Sequence, residues 1–160
     1  MEDHLMTYFM AEKQEALLFM VLGAAALIVS FYLFKAESAY KGMIYPLIII
    51  AAIQLVIGRT VYFRTDGQVA ELTTLLKDDP EKYKVEESQR MERVIKSFRV
   101  YKGTEIILLA IGIALTIAFR EYNLWYSLGI GLIIESSLML VLDLFAEKRA
   151  HEYIQFVVGS

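Results

Sequence analysis

Four long apolar runs limit what this chain can become: residues 16–34, 43–63, 103–119 and 124–145. A helix needs roughly 17–25 apolar residues to cross the hydrocarbon core of a bilayer, and each run is long enough. Lipid offers the backbone no hydrogen-bond partner, so a spanning segment has to bond to itself, as a helix does. Core helices of a soluble bundle carry a polar stripe every turn. These runs mostly do not. The chain therefore reads as an all-α membrane protein, one domain over residues 1–160 with four transmembrane helices. Its composition agrees: 57% of residues are hydrophobic, above the 45–50% usual in soluble domains.

The second and third runs are joined by residues 64–102, which are rich in both charge signs. An apolar stripe runs out of the second run through this segment: Ala51, Leu55, Gly58, Tyr62, Thr65, Val69, Leu72, Leu76. The third helix repeats it from Met91 through Val94, Phe98, Tyr101, Glu105, Leu108, Gly112 and Leu115 to Phe119. Steps of three and four mark one face of a helix. Helices two and three are thus expected to continue beyond the lipid as a helical hairpin over 64–102. Its turn falls at Asp78-Asp79-Pro80, where Asp before Pro suits a helix start. Asp66-Gly67 is a turn signal inside the second helix, but the unbroken stripe argues for continuity. Folding the hairpin about Asp79 sets Tyr62 by Tyr101, Val69 by Ile95 and Gly58 by Glu105. It also predicts an Arg59–Glu105 ion pair at the edge of the lipid, where an unpaired charge is expensive; the alternative is that each snorkels separately to the headgroups. On the outer face Glu86 with Arg90 and Glu92 with Lys96 have the spacing of weak helical ion pairs.

Basic residues set the expected orientation. Ten of the sixteen Lys and Arg lie in 59–102, and Lys13, Lys148 and Arg149 are placed on the same side. Only Lys35, Lys41 and Arg120 lie in the loops opposite. The positive-inside rule puts both termini and the hairpin in the cytoplasm, across a plasma or inner membrane. The acidic start and the long first run suit a retained anchor better than a cleaved signal. Residues 5–10 can form an interfacial helix or an extra turn of the first span. At the other end, Tyr153, Ile154, Phe156, Val157 and Val158 form an apolar tail that either docks on the hairpin or lies on the membrane.

Chemistry-bearing residues are few. With no cysteine, thiolate metal sites and thiol redox chemistry are excluded. No nucleophile–base pair, phosphate loop or zinc helix is present, so the chain is not read as an enzyme and no cofactor is expected. Nothing points to nucleic acid. The polar residues of interest within the runs are Gln54, Arg59, Glu105, Glu135 and Asp143. Glu135 and Gln54 each lie eleven residues into their spans, near the midplane, where a charged carboxylate costs on the order of 3 kcal/mol. Glu135 is expected to face the bundle interior and to bond Gln54, Ser30 or Thr116. Asp143, Glu147 and His151 have metal-ligand spacing, but a solvated helix end is the favoured reading.

Two functions follow. The first is a membrane binding or accessory protein (subunit, scaffold or toxin-neutralising type) using the hairpin for a protein partner or self-association. The second is a small homo-oligomeric transporter or channel with Glu135 as a proton- or cation-linked residue.

Overall fold

The computed structural model describes residues 2–36 and 38–159; these form helices and no strand. Helix α1 covers Glu2–Lys35, α2 Ile44–Asp78, α3 Pro80–Ala118 and α4 Asn123–Gly159, with one 3₁₀ turn, Lys41–Met43, ahead of α2. Each has 34 to 39 residues, about 50–60 Å of helix. All four are long and apolar enough to cross a membrane. Each also outruns its apolar stretch, and at the same end of the bundle. The hairpin therefore does not stand alone: the start of α1 and the end of α4 run beside it.

Local sequence explains the boundaries. α2 passes through Asp66-Gly67 unbroken and stops at Asp79. Asp79 is non-helical, and its carboxylate accepts the Lys82 N–H at 3.0 Å. Such a cap satisfies one of the free donors at a helix start. Pro80 takes the first helical position, where its missing N–H costs nothing. Pro46 sits within the first turn of α2 in the same way.

What the helices hide changes along their length. In the apolar half the inward residues are mostly small or polar: Gly23, Ala26, Ser30, Ala51, Gln54, Gly58, Gly112, Gly131, Glu135 and Ser136. Large side chains such as Ile28, Val56 and Ile107 point outward, and only 11% to 33% of each apolar window is buried. In the charged half the order reverses. Leu5, Phe9, Tyr83, Met91, Tyr153 and Val157 form a closed core, joined by Val69, Leu72 and Leu76. The apolar tail of α4 thus docks between α1 and the hairpin, and residues 5–10 belong to α1 rather than to a separate interfacial helix.

The helices pair differently from the expectation. α1 packs mainly on α2 and α3 mainly on α4, while α2 and α3 touch sparingly. Small residues decide this, because they let backbones approach. A methyl at Gly58 would lie 2.6 Å from the Ala16 carbonyl oxygen; one at Gly129 would lie 2.7 Å from that of Gly112. The stripe on α2 points inward, but in the apolar half it meets α1. Gly58 therefore lies against Ala16 and Met20, not beside Glu105. Lys13 of α1 sits over the Tyr62 ring at 4.6 Å, and Tyr101 is exposed.

Two glycines test this packing with one substitution of opposite sign. Nothing lies within 4 Å of a methyl at Gly67, in mid-helix. Gly67→Ala should raise stability by about 0.5–1 kcal/mol, whereas Gly129→Ala should lower it by about 1–3 kcal/mol through overpacking. Thermal unfolding in detergent reads both. A loss at Gly67 would mean that α2 breaks there.

Candidate functional site

The residues that stand out form a set of polar layers inside the bundle, strung along α4. Glu135, Met139, Asp143 and Glu147 follow at four-residue steps, so they stack on one face. Neighbouring helices meet each layer.

At the loop end, the Gly42 N–H donates to Ser127 Oγ at 3.0 Å. Gly42 approaches Leu124 so closely that a methyl would stand 2.0 Å from its carbonyl oxygen. This contact seats the 3₁₀ turn on α4.

The next layer pairs α2 with α4. Gln54 Nε2 donates to Glu135 Oε2 at 3.3 Å and to Met139 Sδ at 3.4 Å. Both polar side chains are buried, as the sequence predicted for Glu135. Of the partners expected for Glu135, Gln54 takes the role. Ser30 bonds the Ala26 carbonyl one turn back, and Thr116 bonds that of Ile113. Gln54 Oε1 and Ser136 Oγ are buried without a partner.

Glu105 of α3 and Asp143 of α4 are neighbours across the helix pair and form the third layer, where Glu105 Oε2 has no hydrogen-bond partner among the described residues. Both are buried. The expected Arg59–Glu105 ion pair is replaced by this arrangement. Arg59 is exposed on the outside of α2, its guanidinium 5.8 Å from the Phe63 ring. The cause is the helix pairing: α3 turns Glu105 toward α4, and α2 turns its own inner face toward α1. Sequence reasoning could place Glu105 on an inward stripe but not choose which helix it would meet.

Below this lies a belt of interhelical ion pairs. Lys102 of α3 bonds Glu147 of α4, and Arg149 of α4 bonds Glu15 of α1. Lys13 bonds Asp66 at 2.7 Å and Arg64 meets Glu12 at 3.4 Å, both joining α1 to α2. Glu147 is thus committed to Lys102, and His151 is exposed. Among the described residues no group of three His, Asp or Glu side chains is placed to hold a metal ion.

The last layer holds one residue, Glu87, for which the sequence carried no expectation. Glu87 is fully buried and accepts two 2.7 Å bonds from Arg90, whose guanidinium also lies 5.1 Å from the Phe9 ring. Tyr83 and Tyr153 share a 2.9 Å hydroxyl bond, and Tyr8 stacks on Tyr153 at 4.3 Å. Arg90 therefore pairs with Glu87 rather than with Glu86, which meets Lys82. Carrying the α3 stripe back from Met91 by steps of four reaches Glu87 and Tyr83. That was the available signal. The stripe as read starts at Met91, because buried carboxylates are rare unless paired.

Burial acts on the ionisable groups of this charged half. It raises Tyr83 and Tyr153 above the ordinary tyrosine value. It also pushes Glu12 up, and Glu15 from 4.5 to about 7 against the pull of Arg149. A carboxyl whose folded value lies above its unfolded one holds more protons when folded, so its contribution to stability falls as pH rises between those values. For Glu15 the window is 4.5 to about 7. The thermal midpoint should fall from pH 5 to pH 8, and Glu15→Gln should flatten that slope. Glu152→Gln, at an exposed pair with Lys148, should leave it alone. An unchanged slope in Glu15→Gln would contradict the assignment.

In comparisons with known proteins the chain matches no family model, no curated protein and no solved structure, which leaves its own residues as the ground for function.

Proposed function

We propose that the chain is an integral protein of a plasma or inner membrane, with both termini and the helical hairpin in the cytoplasm, acting as a binding or accessory protein. The observation that carries this reading is the reversal of burial. Large apolar side chains face outward over the apolar half of all four helices and inward over the charged half. Outward apolar surface suits lipid, and a closed core under a charged surface suits water. The basic residues concentrated at the closed end support a cytoplasmic location for it.

The closed half supports a docking role of the subunit, scaffold or toxin-neutralising type. Four helices brace one another there, so the hairpin presents a rigid outer face. Glu71, Thr74, Glu81 and Val85 are exposed on it. Removing the hairpin would also strip Tyr83 and Met91 from the core, so surface substitution is the cleaner test. Glu71→Lys, Glu81→Lys and Val85→Asp together should abolish a detergent-stable partner or self-association retained by the wild type, with the thermal midpoint unchanged. Full retention would count against the hairpin as the docking element.

A second reading, transport, is favoured by one observation: Glu135 sits in an apolar span beside Gln54 Oε1 and Ser136 Oγ, two buried atoms without partners. Glu135→Gln separates the readings. An interhelical fastener tolerates the amide, with association unchanged and the midpoint falling by less than about 1 kcal/mol equivalent. A proton- or cation-linked residue does not, and ion flux in vesicles is lost.

A further inference from the structure

Ion pairing in the charged half leaves a remainder. Eight of its cations have carboxylate partners, five of them on another helix. Among the described residues Arg59, Arg93, Lys96 and Arg99 have none, and all four are exposed. The other unpaired cation, Lys84, is half-buried near the turn.

Their placement is not scattered. Arg59 and Arg99 each lie twenty residues from Asp79 at the turn, about 30 Å of helix, so they stand at one height on α2 and α3. That height is the lower edge of the apolar half. Arg99 is four residues from the start of the α3 apolar run, and Arg59 is four residues inside the end of the α2 run. Lys96 and Arg93 follow Arg99 at three-residue steps, about 4.5 Å each, on the exposed side of α3. The nearest exposed carboxylate on α3, Glu92, lies at the far end of that stretch. Phe63 and Tyr101, both exposed, flank the level, where amphipathic rings favour the headgroup zone.

We propose that Arg59, Arg93, Lys96 and Arg99 form a collar that binds the phosphates of anionic lipid headgroups, so that the protein holds anionic lipid in preference to zwitterionic lipid. The inference rests on the membrane reading above. The physical reason is local: guanidinium and ammonium groups released from internal pairing bond phosphate oxygens with charge assistance, at the height where headgroups lie. Arg93 to Arg99 also fit within about one screening length in physiological salt, so the charges act together.

The test uses the purified full chain in nonionic detergent, titrated with phosphatidylglycerol, with phosphatidylcholine, and with inorganic phosphate, reading the thermal midpoint. Phosphatidylglycerol should raise the midpoint at concentrations where the other two do nothing. The variant with Arg59→Gln, Arg93→Gln, Lys96→Gln and Arg99→Gln should weaken the apparent Kd for phosphatidylglycerol more than tenfold. Arg99→Gln alone should weaken it about fivefold, the worth of one basic residue at an anionic surface. Lys82→Gln with Lys148→Gln, two exposed cations paired on their own helices, should change it less than twofold. Equal response to phosphatidylcholine, reproduction by inorganic phosphate, or undiminished binding in the four-site and single variants would each overturn the proposal. Alkaline carbonate extraction of native membranes tests the underlying reading separately: a chain that washes off is not integral, whatever it binds in detergent.

Discussion

Each of the four helices changes what it conceals partway along its length, and everything else in the structure follows from that change. Over the apolar half, side-chain bulk points outward, so the interior must be closed by residues with little bulk. Glycine, alanine and serine do this by letting one backbone rest on the next. Over the charged half, the outer surface is polar and the interior can be closed by Phe9, Tyr83, Met91 and Tyr153 in the ordinary way. One bundle therefore carries two cores of opposite character, joined without a break in any helix.

The junction between them is where the polar chemistry collects. Moving toward the charged end, Glu105 meets Asp143, then come the pairs Lys102–Glu147, Arg149–Glu15 and Lys13–Asp66. Directional contacts between named partners help hold the helices in register at this level. Such pairs add little stability each, and a half-buried one such as Glu15 with Arg149 is costly enough to shift its own titration. Their value lies in fixing the register of helices that the short loops and the glycine contacts have paired. The same pairing engages Lys13, Arg64, Lys102 and Arg149 at this level and leaves Arg59 and Arg99 without carboxylate partners among the described residues, which connects the internal packing to the proposed lipid collar.

Much of this was legible in the sequence. The four apolar runs gave the number of helices, Asp79-Pro80 the turn, and the stripe through Val69 and Leu72 the continuity of α2 past Gly67. Glu135 and Gln54 could be matched by depth alone, because a polar group in an apolar span has few partners available. Helix pairing was legible only in part: the short loop after Lys35 makes α1 and α2 antiparallel neighbours, as they are, but nothing in the sequence showed that α3 would leave α2 for α4. A stripe says that a face points inward, and not which neighbour it meets; the short α1–α2 and α3–α4 loops and the close contacts at Gly58 and Gly129 decide that. The Arg59–Glu105 pairing failed for this reason. Glu87 was missed because its burial depends on Arg90 reaching it one turn away, with Phe9 from α1 covering the guanidinium, and the last of these contacts cannot be seen in a single segment.

The central claim is that lipid surrounds the apolar half and water the charged half. Spin labels on outward positions test it most directly. Ile28, Val56, Ile107 and Val141 sample the first, and Glu71, Val85 and Glu152 the second, all of them exposed in the bundle. In reconstituted vesicles the first set should relax with oxygen and resist a polar nickel chelate, and the second set should do the reverse. Labels at all seven positions responding to the polar reagent would contradict the account.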